Sequence, residues 1–117
     1  KFKGFAGSIF DCGVRDVDAI REMDYPTWAR GITPITGKYR FETLEINGAV
    51  VIAGIQVLPG DLILADTSGV VVVPKEKAEE VLKIAEEAAG KESELIQAIR
   101  RGASLDELNK ILPMDKW

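Results

Sequence analysis

The sequence predicts an α/β fold in which a compact β barrel or sandwich is followed by a long C-terminal helix. Residues 39–74 contain short runs rich in Val, Ile and Leu that turn residues separate, a pattern typical of closely spaced strands. Residues 75–101 are rich in Ala, Glu and Lys, which predicts one long helix. An apolar run near the start of the chain leads through a tight turn into a helical pattern, which predicts a strand and a helix ahead of the β-rich part.

The first elements are a strand, a helix and a second strand. Residues 4–10 alternate small and apolar side chains and are predicted to form a buried strand. Asp16 occupies the position of a helix N-cap, because apolar residues at helical spacing follow it directly. Pro26 ends this helix, and residues 27–31 are predicted to form the second strand.

The β-rich part carries clear turn signals. Five short strands are expected there, at residues 40–46, 49–53, 55–58, 62–65 and 70–73. Asn47-Gly48 is typical of a type I′ hairpin turn, and Pro59-Gly60 suits the two central positions of a type II turn. Asp66 is expected to form a turn at a strand end. Strands this closely spaced favour a barrel or a sandwich.

The C-terminal part is helical. Residues 75–101 are predicted to form one helix that ends at Gly102. Ser104 and Glu107 have the spacing of a capping box, which predicts a last helix over residues 105–111.

One face of the long helix is predicted to meet a partner surface. Its residues follow alternating steps of three and four: Ala78, Val81, Ala85, Ala88, Glu92, Leu95 and Ile99. Glu92 is the only charged residue in this seam, and a carboxylate on an apolar face costs free energy unless it is paired. Two interpretations stay open: Glu92 reaches a site at a subunit boundary, or the helix extends past the core and Glu92 is solvated.

Composition excludes several classes of function. The 117 residues predict one domain, and the net charge of −4 without a basic block argues against a nucleic-acid surface. No apolar run reaches the length of a membrane helix, and a single Cys suits a reducing compartment, so we expect a cytoplasmic protein. The absence of His removes the Ser-His-Asp and Cys-His schemes and the common zinc sites. The chain begins with Lys1, which suggests a piece of a longer polypeptide.

The turn after the first strand delivers the best candidate site. Arg15 and Asp16 stand at a strand end that feeds a helix, where α/β proteins tend to bind ligands. Arg can clamp a carboxylate with its planar fork, and Asp can hold a hard cation such as Mg²⁺. Simpler roles stay open: an N-cap for Asp16, a surface ion pair for Arg15, and a turn residue with a supporting role for Asp11. Cys12 is expected to be a packed side chain rather than a nucleophile, because no base accompanies it.

Four ordered motifs together resemble one protein family. They are GVRDVD at residues 13–18, YPTWARG at 25–31, GIQVLPGD at 54–61 and ADTSGVVVVP at 65–74. The sequence closely resembles the RraA-like family, which includes divalent-metal aldolases acting on 4-hydroxy-4-methyl-2-oxoglutarate and 4-carboxy-4-hydroxy-2-oxoadipate, and the regulator of ribonuclease E activity. The resemblance covers nearly all of the chain and corresponds to the C-terminal two-thirds of the family's domain.

The resemblance implies a swivelling β/β/α-type domain and a site shared between subunits. It implies a homotrimer or a dimer of trimers in which Arg15 binds the pyruvyl part of a 2-oxo acid, whereas the composition argues against nucleic-acid and membrane partners. Asp16 would help to hold Mg²⁺ or Mn²⁺, and Glu92 is the match for a Glu that a neighbouring subunit contributes. The family pattern has an acidic residue where this chain has Ala19. Asp18 can take the place of that acidic residue only if the turn is shifted. The family's N-terminal Gly-rich loop is not in this sequence, which leaves open a further N-terminal chain.

Two functions of different classes follow from this resemblance. The first is a metal-dependent aldolase or decarboxylase of short 2-oxo acids that works through a pyruvate enolate, with Arg15, Asp16 and Glu92 as catalytic residues and oxaloacetate as a second substrate. The second is a non-catalytic regulator that binds and inhibits a ribonuclease. The Arg15–Asp16 pair favours the enzyme, whereas Ala19 favours the regulator.

Overall fold

The computed structural model describes residues 3–113, and the chain divides into two compact units, Lys1–Pro59 and Gly60–Trp117. The elements of the first unit are β1 (Ser8–Val14), α1 (Val17–Glu22), β2 (Thr27–Ile32), β3 (Val50–Ile52) and β4 (Ile55–Val57). Strands β1 and β2 are parallel neighbours, with Ser8 opposite Thr27 and Val14 opposite Ile32. Parallel neighbours need a crossover connection, and α1 supplies it. The unit therefore begins with a β-α-β arrangement whose strands end side by side.

The first strand differs from the prediction at both ends. Residues 4–7 are not in it, and Gly4 has a φ of 78°, which is outside the strand region. The strand instead extends to Val14, so Asp11 is a strand residue and the prediction of a turn there was wrong. Pairing with β2 determines where β1 ends, because the two strands stay paired as far as Val14 opposite Ile32.

The predicted strand at residues 40–46 is also wrong. These residues form turns and irregular backbone, and the side chains of Phe41, Leu44 and Ile46 are all at least 85% exposed. A strand needs a hydrogen-bonded neighbour, and within residues 3–113 this segment pairs with none. Apolar composition alone therefore misplaced a strand here.

The type I′ hairpin turn lies between the strands predicted at residues 49–53 and 55–58, and not at Asn47-Gly48. Strands β3 and β4 are antiparallel, with Ile52 opposite Ile55, so Ala53 and Gly54 form a two-residue turn. Both have positive φ, 51° and 84°, which a type I′ turn requires. The expected turn at Asn47-Gly48 does not join two strands, and the physical reason is the missing strand before it.

The second unit follows the prediction closely. It contains the antiparallel strands β5 (Leu62–Ala65) and β6 (Val70–Val73), a short 3-10 turn at Lys75–Lys77, and the helices α2 (Ala78–Arg100) and α3 (Leu105–Ile111).

Local side-chain chemistry confirms its turns and caps. The Asp66 carboxylate accepts hydrogen bonds from the main-chain N–H groups of Ser68, at 2.7 Å, and Gly69, at 3.2 Å. The Ser104 hydroxyl and the Glu107 carboxylate form the predicted capping box. Gly102, just after α2, has a φ of 77°, as expected for a residue that ends a helix.

The α/β class with a long C-terminal helix is confirmed, but the strands of residues 3–113 form three two-stranded sheets and no closed barrel. Few apolar side chains are covered: among the described residues the buried hydrophobic ones are Val73 and Ala98. Most strand side chains are exposed, for example Val51 at 62% and Val71 at 60%. No helix within residues 3–113 is both long enough and apolar enough to cross a membrane.

Candidate functional site

The candidate site lies where β1 and β2 end together. Arg15 and Asp16 directly follow β1, and Thr33 directly follows β2. The main-chain N–H of Thr33 donates to the carbonyl of Val14 at 2.9 Å, which continues the pairing past the last strand residue. The close approach of Thr33 to β1 needs a glycine at position 13, because a Cβ on Gly13 would lie 2.9 Å from Cγ2 of Thr33. The residues that follow β1 and β2 therefore lie together at one edge of the sheet.

The structure brings the predicted pair into direct contact. Nε of Arg15 donates to Oδ2 of Asp16 at 2.8 Å, and the two side chains are 52% and 66% exposed. Only one of the five N–H donors of the guanidinium makes this contact, so the terminal nitrogens keep four donors for an anionic ligand. The arrangement places a cationic fork and a carboxylate side by side in a solvent-accessible position.

Asp16 is the N-cap residue by position but not by chemistry. Its carbonyl accepts the first helical hydrogen bond, from Ile20, yet its side chain makes no capping bond. The reason is its backbone, which is left-handed with φ 58° and ψ 37°, whereas a capping residue is normally extended. The expectation of a side-chain cap was therefore wrong. A non-glycine residue in this region is uncommon and tends to occur at functional sites.

The remaining acidic candidates lie elsewhere. Asp18 is on the surface of α1, where its carboxylate is 3.5 Å from Arg21 and 94% exposed. Glu92 is exposed on α2, beside the C-terminal end of α3, where Lys110 and Ile111 line the same groove. Among residues 3–113 no three His, Cys, Asp or Glu side chains group closely enough to hold a metal ion by themselves.

Within residues 3–113 the predicted seam of α2 is largely uncovered. Val81, Ala85 and Ala88 are exposed, while Leu95 is partly buried. The most buried helix residue, Ala98, is not one of the seam residues.

Asp11 and Arg30 form an ion pair that sequence reasoning missed. Nε of Arg30 donates to Oδ1 of Asp11, from the neighbouring strand. The main-chain N–H of Ala53 donates to the same carboxylate. The Arg30 hydrogen bond, and then that of Ala53, hold the pKa of Asp11 below its ordinary value, and Asp11 in turn raises the pKa of Arg30. The signal was available, since both residues stand two or three places before the ends of parallel strands. Cys12, next to Asp11, is exposed, so the expectation of a packed side chain was wrong.

A family model and several relatives match this chain. The family model is RraA-like, described as Aldolase/RraA, and it matches residues 1–72. An uncharacterized protein of Methanocaldococcus jannaschii is 40% identical over 110 residues, which are 93% of this chain and 52% of that protein. The 4-hydroxy-4-methyl-2-oxoglutarate aldolase of Thermus thermophilus is 32% identical over 73 residues, 62% of this chain and 44% of that enzyme. The chain thus spans about half the length of these relatives.

Two crystal structures share the fold. An uncharacterized protein from Pseudomonas syringae pv. tomato superposes with a TM-score of 0.80 at 33% identity, over 91% of this chain and 53% of that one. Streptomyces coelicolor RraAS2, an unusual member of the RNase ES inhibitor RraA protein family, superposes with a TM-score of 0.64 at 29% identity, over 83% of this chain and 57% of that one. The match of the family model to more than half of the residues, together with these structures, shows that the chain belongs to the RraA-like family.

Proposed function

We propose that this protein is a divalent-metal-dependent aldolase or decarboxylase of short 2-oxo acids that works through a pyruvate enolate. The observation that carries the proposal is the contact of Arg15 with Asp16 at the shared end of two parallel strands. The name of the Thermus thermophilus relative supports the reaction class. The substrates we propose are 4-hydroxy-4-methyl-2-oxoglutarate or 4-carboxy-4-hydroxy-2-oxoadipate, with oxaloacetate decarboxylation as a second activity.

The donor set suits Mg²⁺ or Mn²⁺ held in an open site. Mg²⁺ commonly keeps several waters and binds through one or two carboxylates plus oxygens of the substrate. Asp16 offers one exposed carboxylate, which suits a cation that takes its other ligands from water and substrate. When bound, the cation would supply Lewis-acid polarisation of the 2-oxo group.

Arg15 is proposed to bind the substrate carboxylate. Its guanidinium is held on one side by Asp16, which orients the fork and leaves the terminal nitrogens for a second, bidentate contact. A carboxylate bound there is next to the Asp16 carboxylate, so substrate and cation would be bound by adjacent residues. The positive charge also stabilises the negative charge that develops as the carbon–carbon bond breaks.

Glu92 is proposed to act from a neighbouring subunit in a homotrimer or a dimer of trimers. Support comes from the exposure of the seam on α2 and of many apolar strand residues, which a partner subunit would cover. Light scattering should give a trimer or hexamer mass, and Ala88→Arg on the seam should lower it. Glu86→Arg, off the seam, is the matched control and should leave the mass unchanged.

The test of activity is pyruvate release from oxaloacetate and from 4-hydroxy-4-methyl-2-oxoglutarate, with Mg²⁺ and with EDTA. Asp16→Asn keeps the size of the side chain and tolerates left-handed backbone, so it removes the charge with little strain. It should abolish metal-dependent release. Asp24→Asn is the matched control and should retain activity, because Asp24 also has a positive φ, 48°, but is not part of the Arg15–Asp16 pair.

The alternative is a regulator that binds and inhibits a ribonuclease without catalysis. The structural match to an RNase ES inhibitor family member favours it, as does Ala19, which leaves α1 without the acidic residue of the family pattern. A folded protein that releases no pyruvate with any divalent metal, and that slows a ribonuclease of this type, would favour the regulator and refute the enzyme.

A further inference from the structure

Strand β1 contains a bulge directly ahead of the candidate site. Phe10 is opposite Ala29 and Gly13 is opposite Gly31, so two residues of β1, Asp11 and Cys12, span a single residue of β2. A bulge bends its strand and redirects the side chains that follow it. The residues that follow this bulge are those that lead to Arg15 and Asp16.

One carboxylate ties the bulge to its surroundings. Asp11 accepts a hydrogen bond from Arg30 on β2 and another from the main-chain N–H of Ala53 in the β3–β4 turn. The Asp11 side chain is 32% exposed, about half the exposure of Arg30 at 62%. This one group therefore joins both strands of the parallel pair to the hairpin of the same unit.

The hydrogen bond from Ala53 to Asp11 involves a residue whose backbone conformation is unfavourable. Ala53 has a φ of 51°, a left-handed conformation that is sterically unfavourable for a residue with a Cβ. Such conformations persist where the surrounding structure holds them. An acceptor for the N–H of Ala53 is one such constraint, and Asp11 provides it.

We propose that Asp11 is a positioning residue, which holds the β1 bulge in the shape that aims Arg15 and Asp16 out of the strand. This inference rests on the proposed function, in which those two residues bind substrate and cation. In this proposal Asp11 acts through the strand and is not itself a ligand of substrate or cation. The hydrogen bonds from Arg30 and from Ala53 favour the ionised form of Asp11 and hold its pKa below the ordinary value.

The test compares Asp11→Asn with Asp66→Asn. Both replace an aspartate that accepts hydrogen bonds from main-chain N–H groups, but Asp66 lies in the β5–β6 turn of the second unit. In two-dimensional ¹H–¹⁵N NMR spectra, Asp11→Asn should shift the Arg15 Nε–H and Asp16 amide signals, and it should speed hydrogen exchange at the Ala53 amide. Asp66→Asn should move none of these signals.

Kinetics supply the second measurement. A misplacement of about 1 Å at a catalytic group can cost on the order of 100-fold in rate, so kcat/KM for pyruvate release should fall by roughly 10- to 100-fold in fully folded Asp11→Asn. Unchanged kcat/KM in an active enzyme would overturn the inference, as would unchanged Arg15 and Asp16 signals. If the wild-type protein releases no pyruvate, the proposed function fails, and the NMR comparison alone decides whether Asp11 positions the pair.

Discussion

Substituting Gly13 by alanine should destabilise the protein, although it adds only one methyl group. The new Cβ would lie 2.9 Å from Cγ2 and 3.2 Å from Cβ of Thr33. Carbon atoms pack at roughly 3.5–4.0 Å, so one side must move by more than half an ångström. Thr33 is held by its 2.9 Å hydrogen bond to Val14, and overpacking of this kind typically costs about 1–3 kcal/mol.

The opposite glycine is a matched control. Gly31 pairs with Gly13 across the two strands, and a Cβ added to Gly31 meets nothing within 4 Å. Gly31→Ala should therefore be neutral or slightly stabilising, because alanine loses less backbone entropy than glycine on folding. Thr33→Ser removes Cγ2, so Gly13→Ala with Thr33→Ser should recover part of the lost stability.

Urea denaturation measures these effects as shifts of the unfolding midpoint at constant m-value. The variants compared are Gly13→Ala, Gly31→Ala, Thr33→Ser and the double variant Gly13→Ala with Thr33→Ser. The steric argument requires Gly13→Ala to unfold at clearly lower urea than Gly31→Ala. Equal midpoints for the two substitutions would refute it, and a double variant no more stable than Gly13→Ala alone would show that Cγ2 is not the atom in conflict.

Four further outcomes are expected. Ala53→Gly should raise the free energy of unfolding by up to about 1 kcal/mol, because glycine adopts a positive φ without steric cost. Ser104→Ala should lower the free energy of unfolding by about 1 kcal/mol, because it removes the hydroxyl that accepts a hydrogen bond from the main-chain N–H of Glu107. The urea midpoints of Ala53→Gly and Ser104→Ala test these two predictions. Hydrogen bonds from the main-chain N–H and the hydroxyl of Ser104 lower the pKa of Glu107 in the folded state. The stabilisation by the Glu107 carboxylate is therefore present above its unfolded pKa and lost as pH falls through its lower folded pKa. Glu107→Gln should weaken the loss of urea midpoint on acidification below the ordinary pKa of a glutamate. Arg15→Lys should raise the KM for a 2-oxo acid by tenfold or more, which steady-state kinetics would test. Lysine lacks the planar fork of arginine, and the loss of one hydrogen bond to a charged group costs roughly 1.5–3 kcal/mol of binding free energy.

The helices and the capping box of α3 could be predicted because the interactions that form them are local. The capping box joins Ser104 to Glu107, three residues apart, and the Asp66 turn is closed by hydrogen bonds to Ser68 and Gly69. The positive φ of Gly102 likewise depends only on the end of its own helix. In these cases every partner is within one turn of the residue concerned.

Strands could be predicted only in part, because a strand depends on a partner that is distant in sequence. Residues 40–46 have strand-like composition but no hydrogen-bonded neighbour within residues 3–113, and they form no strand. Asn47-Gly48 has the stronger turn signature, yet Ala53-Gly54 joins the two strands because Ile52 and Ile55 pair on either side of it. Pairing with β2 also displaced β1 toward the C-terminus by four residues at each end.

The sequence by itself determined that Arg15 and Asp16 stand side by side between a strand and a helix, since adjacency and local periodicity require no tertiary information. It also carried the four motifs of the RraA-like family, whose model matches residues 1–72. Only the tertiary structure decided that Asp16 is left-handed and pairs with Arg15 instead of capping α1. The same holds for Asp11, whose carboxylate meets Arg30 and Ala53, 19 and 42 residues away in sequence (30 − 11 and 53 − 11). Contacts of that range depend on how strands pair, which is a property of the whole fold and not of any short segment.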